Sequence, residues 1–348
     1  MRSLLPVTVL VALSLVAAAC GSDATNEAPT AIVLMTHDSF SVSDNVLAAF
    51  EAQTDITVEI LQAGDAGAML NQAILTKDNP LADVLFGVDN TLLSRALDEQ
   101  LFVPYDATGI DAIDAEFVVA GNPVTPIDFG DVCINTDPDA LAAASVEIPA
   151  RLADLTDPTY SGTLIVEDPS TSSPGLAFLI ATIAMFGEGG DSDWRDYWAG
   201  LVANDIAITS GWEQAYYGEF SGGSGEGSRP LVVSYATSPA AEVVFGELAE
   251  APTGVILDGC FRQIEYAGVL SGTEHEEAAQ QFIDFMLAVP FQEDIPLNMF
   301  VFPVNDEAVL PEVFAQYALA ADSPIVMDPS VIDANRERWI AEWAAIVR

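Results

Sequence analysis

Lysine is nearly absent from this chain: Lys77 is the only one, and arginine supplies the rest of the 10 basic residues. Against them stand 53 acidic residues, giving a formal net charge of -43 over 348 residues. So negative a surface repels phosphate backbones and argues against nucleic-acid binding. One lysine leaves little room for Schiff-base chemistry. Histidine occurs only as His37 and His275, too few for a histidine-rich metal site, and neither a metal nor a cofactor is expected. Disorder does not explain the charge, because 51% of the residues are hydrophobic, with five Trp and 17 Phe. At this length two lobes are expected, each with its own core. The acidity also suits a high-salt habitat, where counterions screen self-repulsion.

Cysteine is scarce as well, with three in the chain. The first, Cys20, follows Arg2, an apolar run over Leu4–Ala19 and the small residues Ala17-Ala18-Ala19. That run is short for a membrane span, which needs about 20 residues, and it suits signal cleavage. A cysteine directly after the site resembles a bacterial lipoprotein signal with Cys20 as the lipidated N-terminus; an ordinary secretory signal with a stray cysteine is the alternative. Residues 1–19 are then a signal peptide and 20–30 a polar tether. The mature protein is expected outside the cytoplasm, held at the outer face of the membrane by lipid alone. Cys133 and Cys260 remain, and an even number in an exported protein argues for one disulfide, with a reactive thiol as the competing reading.

What is present in quantity is α/β alternation. Ala31–Thr36, Ile56–Leu61 and Ala82–Gly87 are strand-like, and Ser43–Ala52, Gly67–Thr76 and Asn90–Asp98 are helical in period. That order implies a parallel sheet with helices on both faces and a ligand site beyond the strand carboxyl ends, which carry His37, Asp38, Asp65 and Asp89. A second unit follows, with strands at Leu164–Val166, Ile206–Thr209, Leu231–Tyr235 and Gly254–Leu257. Its helices are Leu176–Phe186, Trp194–Ala203 and Glu242–Leu248. The stretch Ser221–Ser228 is a flexible surface loop without packing residues. After Phe261–Leu270, Thr273 and Glu276 are placed as a capping box for a helix over His275–Ala288, making His275 a surface residue. In the last helix, from Ser330 to about Val347, Trp339 and Trp343 form a packed face at i,i+4.

Two α/β lobes in an exported chain suggest a solute-binding protein with a cleft between them. The segment Glu167–Gly175 ends a strand and opens a helix, so Thr171 and Ser172 are either an anion pocket at a helix N-terminus or an ordinary N-cap followed by proline. Trp212 and Tyr235 stand at strand ends, and Phe300 in the turn Ile295–Val304, where they either sandwich a flat cation or simply pack. Opposite Asp38, Asp65 and Asp89, they would make a cleft for a flat, positively charged ligand.

These segments resemble the thiamine-binding proteins of bacterial ABC importers, from about Ile32 to the C-terminus. The resemblance is carried by THDSF (36–40), ADVLFGVDNTLL (82–93), EDPSTSSPGL (167–176), ITSGWEQAY (208–216), LVVSYATSPA (231–240), IPLNMFVFPV (295–304) and RERWIAEW (336–343). It implies the type II periplasmic-binding fold, α/β, with lobe 1 at 31–126 plus about 263–308 and lobe 2 at about 127–262 plus about 309–348. It implies a monomer that binds thiamine or its phosphate esters and serves a membrane permease with a separate ATPase. Asp65 would contact the aminopyrimidine, Thr171 and Ser172 the hydroxyethyl end or its phosphate, and Trp212 and Tyr235 would flank the rings. Tyr216 and Asn298 fall in matching motifs and join the binding set with His37, Asp38, Asp89 and Phe300. The family often has Tyr at His37, Trp at Phe300 and an aromatic at Ala241, so stacking area is smaller on one side. The chain would cross between lobes near Pro126–Gly130 and return near Phe261–Glu265, side by side, which makes a Cys133–Cys260 disulfide geometrically reasonable. Two other functions share this fold. A type I thiaminase would use Cys133 as nucleophile and Glu265 as acid-base, and a ferric-ion binder would use the adjacent Tyr216 and Tyr217.

Overall fold

A computed structural model describes residues 30–348; the expected signal peptide, Cys20 and nearly all of the expected tether lie outside the described residues. The strands are β1 (Thr30–Thr36), β2 (Ile56–Gln62), β3 (Val84–Asp89), β4 (Phe102–Val103), β5 (Thr125–Thr136), β6 (Leu164–Glu167), β7 (Ala207–Thr209), β8 (Leu231–Tyr235), β9 (Gly254–Leu270) and β10 (Phe302–Pro303). They form one continuous mixed sheet with the path β2-β1-β3-β9-β5-β8-β6-β7, β4 and β10 pairing at its side. Two parallel blocks, β2-β1-β3 and β8-β6-β7, sit at its ends. The long antiparallel strands β5 and β9 join them. The segments Gly254–Leu257 and Phe261–Leu270, expected separately, are thus a single strand.

Burial explains the blocks. Every residue of β3 is buried, and its sequence VLFGVD is almost unbroken apolar, as a strand covered on both faces requires. The helix Ser173–Phe186 is buried from Ser173 to Ile183 and carries Pro174 in its first turn, where a missing N–H costs nothing. The final helix, Pro329–Val347, seals the second block: Trp339 and Trp343 are each 1% exposed, and Trp343 meets Trp198 edge-on at 5.6 Å. It also reaches the first block, where the buried Arg336 Nη1 donates to Ser94 Oγ at 2.8 Å and to the Thr91 carbonyl. Among the described residues no helix is long and apolar enough to cross a membrane.

Two local expectations fail and a third, the surface loop Ser221–Ser228, holds as a loop but not as an untethered one. The helix Glu276–Leu287 is capped by His275 without a side-chain hydrogen bond; Thr273 Oγ1 instead accepts from His275 N and donates to Asp83, so the Thr273–Glu276 box does not form. The expected helix Glu242–Leu248 runs over Ser238–Phe245, because Pro239 starts it in its first turn. The stretch Ser221–Ser228 is tied down by side chains, Ser221 Oγ donating to Asp137 and Ser224 Oγ to Glu242. Small polar composition made it read as a loop without packing, yet hydroxyls find buried acceptors as readily as apolar groups find a core.

Candidate functional site

The parallel strands of the two blocks aim their carboxyl ends at a common space, the position where ligands settle in open α/β sheets. A cavity of about 300 Å³ lies there, at the small end of the usual range for small-molecule sites. From the first block come His37 and Asp38, just after β1, and Asp65, shortly after β2. From the second come Trp212 after β7, Tyr216 in the π-helical turn Gln214–Glu219, and Tyr235 at the end of β8. Asn298 and Phe300 complete the wall. Phe300 has φ +54°, unusual for a side-chain-bearing residue, and packs 5.0 Å from Phe245.

Backbone detail sets the side chains. Gly87, at φ +98°, lies beneath the His37 ring, and a Cβ there would come within 2.3 Å of His37 Cδ2. Burial lowers the His37 pKa to about 4, so the ring is neutral at ordinary pH; its Nε2 has no hydrogen-bond partner and lies 3.6 Å from Glu265 Oε1. Asp65 caps the helix Ala66–Leu75 and also spans to the other block. Its Oδ1 accepts from Ala66 N at 2.7 Å and Ser173 N at 3.2 Å, and its Oδ2 accepts from Trp212 N at 3.0 Å. Burial pushes its pKa up to about 6 despite the Trp212 hydrogen bond. The Trp212 indole stacks on Tyr216 at 5.1 Å and donates to Ser234 Oγ at 2.8 Å, which fixes the plane it offers the cavity.

Beneath this wall runs a row of acids. Asp89, Glu265 and Asp128 are register partners across β3, β9 and β5. Burial raises the pKa of all three, and Asp128 raises Glu265 further. Neither Asp128 oxygen has a hydrogen-bond partner, and burial together with mutual repulsion favours the protonated forms of the Asp128–Glu265 pair. Gln263 ties the row to the aromatics: its Oε1 accepts from Tyr235 Oη at 2.7 Å, and its Nε2 donates to Asp89 Oδ2 at 2.6 Å and Ser173 Oγ at 2.9 Å.

Three of the expected binding residues stand off the cavity. Asp89 is fully buried and spent on Gln263 and Thr91. Thr171 Oγ1 donates to the Ser210 carbonyl at 2.7 Å. Ser172 is 1% exposed, and its hydroxyl has no hydrogen-bond partner. Sequence reasoning found the helix start but could not see that Asp65 covers it. It also missed Glu213, Glu242 and Phe245 on the wall. Ser238, Glu242 and Phe245 are spaced i, i+4, i+7 on one helix face, a signal hidden by starting that helix at Glu242.

The rival chemistries meet different geometry. Cys133 and Cys260 are buried away from the cavity with their sulfurs 1.97 Å apart, at bonding distance. Tyr216 Oη donates to Glu242 Oε1 at 2.8 Å, burial holds its phenol well above the ordinary pKa, and Tyr217 meets it edge-on at 85°. The two phenols are not presented as a pair of phenolate ligands.

A sequence profile of the bacterial extracellular solute-binding proteins matches residues 79–319, more than half of the chain. The chain belongs to this family. Within the wider set of solute-binding proteins it is 29% identical over 320 residues to the thiamine-binding periplasmic protein of Salmonella typhimurium, covering 91% of this chain and 93% of that one. The protein of the same description from Brucella suis is 28% identical over 329 residues, 92% of each chain. In three dimensions this solute-binding protein resembles a periplasmic thiamin binding protein with TM-score 0.81 and 28% identity, over 91% of this chain and 96% of the other. Iron-bound HitA from Pseudomonas aeruginosa aligns with TM-score 0.71 at 19% identity over 91% and 99% of the two chains, a likeness of fold.

Proposed function

We propose that this protein is the extracytoplasmic thiamine receptor of an ABC importer. The observation that carries this reading is the cavity itself: flat rings from Trp212, Tyr235 and Phe300 beside the carboxyls of Asp38, Asp65 and Glu265, with no Lys or Arg on its wall. Thiamine is two flat heterocycles, one a permanent cation, and aromatic faces with nearby carboxylates suit it. The thiamine-binding relatives on both sequence and structure point the same way.

On this reading the binding set is His37, Asp38, Asp65, Trp212, Tyr216, Tyr235, Asn298 and Phe300, and Asp89 acts only through Gln263. Lobe 1 is 31–126 plus about 263–308 and lobe 2 about 127–262 plus about 309–348, hinged where β5 and β9 pass between the blocks. Closing the lobes over ligand makes the surface a permease recognises, with ATP hydrolysed elsewhere. A lipid on Cys20 holds the monomer at the membrane. The protein catalyses nothing: a Cys133 bonded to Cys260 is no nucleophile.

The test is a tryptophan-fluorescence titration of the purified protein with thiamine and, in parallel, ferric ion, with the ligand examined by mass spectrometry afterwards. Trp212 is the tryptophan on the cavity wall, so saturable quenching by intact thiamine is expected. Cleaved thiamine, or a response to iron alone, refutes the proposal.

A further inference from the structure

We infer that Gln263 is a positioning residue for the ligand site, one that fixes the Tyr235 ring on the cavity wall and anchors it to the first block. Its consequence for thiamine rests on the receptor reading above; the fixing of the ring does not. Gln263 lies on β9, is 1% exposed and stands behind the wall rather than on it, so it acts through another side chain. Both hydrogens of its amide are used: Nε2 donates to Asp89 Oδ2 at 2.6 Å in the first block and to Ser173 Oγ at 2.9 Å in the second. Its Oε1 accepts from Tyr235 Oη at 2.7 Å.

Asp89 sets which way the amide points. Its Oδ1 already accepts from Thr91 Oγ1, Thr91 N and Leu92 N, and its Oδ2 takes Gln263 Nε2, which leaves Oε1 to face Tyr235. The position calls for a donor on one arm and an acceptor on the other: an ionised Glu would set two acceptors against Asp89, and an alkyl or thioether chain would serve neither partner. Tyr235 is held at two further points. Gly130 on β5 lies against its ring, where a Cβ would come within 2.9 Å of Cδ1, and Asn135 Nδ2 donates to its carbonyl at 2.9 Å. The ring meets Trp212 at 6.5 Å and 63°, and with the hydroxyl anchored it keeps that orientation before any ligand arrives. Without the anchor, binding has to order the ring, at a cost equivalent to about two- to tenfold in affinity.

The experiment is a double-mutant cycle on the purified protein, with Gln263→Met and Tyr235→Phe made singly and together. Calorimetric titration with thiamine reads affinity, and near-ultraviolet circular dichroism without ligand reads how firmly the tyrosine rings are held. Each single variant is expected to bind thiamine about two- to tenfold more weakly and to show a reduced tyrosine band; in the Tyr235→Phe background, Gln263→Met is expected to change neither quantity further. Losses that add in the double variant, or a folded Gln263→Met protein with the parent's affinity and tyrosine band, overturn the inference. If Gln263→Met does not fold, Tyr235→Phe decides by itself, since it deletes one atom and keeps the ring: a two- to tenfold loss of affinity is expected, and parent-like affinity overturns the inference. A parent protein that binds no thiamine overturns the receptor reading instead, and the dichroism cycle then judges the anchoring of Tyr235 without it.

Discussion

Gly67 gives the sharpest test of cleft closure, because it touches the opposite side. It lies in the first turn of the helix Ala66–Leu75, and a Cβ placed on it would come 2.6 Å from the Thr171 carbonyl oxygen and 2.8 Å from the carbonyl carbon. Both are backbone atoms and cannot swing aside. The neighbouring Ala68 N donates to the same carbonyl at 3.3 Å, so the contact joins the first block to the second. In Gly67→Ala the overpacking costs about 1–3 kcal/mol if the halves stay together, and nothing once they part. If ligand binding requires closure, that cost appears as a loss of thiamine affinity of about 5- to 150-fold. Alanine is meanwhile the better helix former, by about 1 kcal/mol, so the ligand-free variant should melt no lower than the parent protein. Calorimetric titration measures the first quantity and thermal unfolding the second. Unchanged affinity, or a lowered melting temperature with unchanged affinity, would refute closure at this contact.

Other perturbations separate the roles of the remaining groups. Trp212→Ala removes both the stacking face and the Ser234 hydrogen bond and should weaken thiamine binding by at least about 2 kcal/mol, near thirtyfold, whereas Trp212→Phe should retain part of it by titration. Acidification should weaken binding as Asp65 protonates through about pH 6, since a neutral carboxyl no longer attracts the cation. Stability should move the other way. The pKa of Asp65 is raised by folding from 3.8 to about 6, so its contribution is fully present below the unfolded value and is lost as pH rises through 6; Asp128, Glu265 and Glu167 shift in the same direction. His37, its pKa lowered to about 4, opposes them below pH 6.5 as one group against four, so melting curves of the ligand-free protein between pH 5 and 8 that fall on the acid side would contradict the dominance of the carboxyls. Replacing Cys133 and Cys260 together with Ser should cost about 4–5 kcal/mol in denaturant unfolding, for a closed loop of 127 residues, without abolishing thiamine binding.

The strand–helix alternation made both blocks legible, because buried parallel strands such as Val84–Asp89 read as unbroken apolar runs. From them followed the strand-end positions of His37, Asp65, Trp212 and Tyr235, all of which line the cavity. What stayed hidden depends on contacts distant in sequence. Asp65 looked like a ligand contact and Ser172 like an anion donor, but the fold sets the first against the helix that starts beside the second. Asp89 looked like a cleft acid until the register of β3 against β9 placed Gln263 over it. Glu242 was invisible because its helix begins four residues earlier than its apolar pattern suggests.

The most direct measurement is a crystal structure of the protein grown with thiamine. The expected result is ligand density within the cavity, its rings against Trp212 and Tyr235 and its cationic ring facing the carboxyls of Asp38 and Glu213. An empty cavity in a protein that binds thiamine in solution, or density at any other surface, would contradict the assignment of this cleft as the thiamine site.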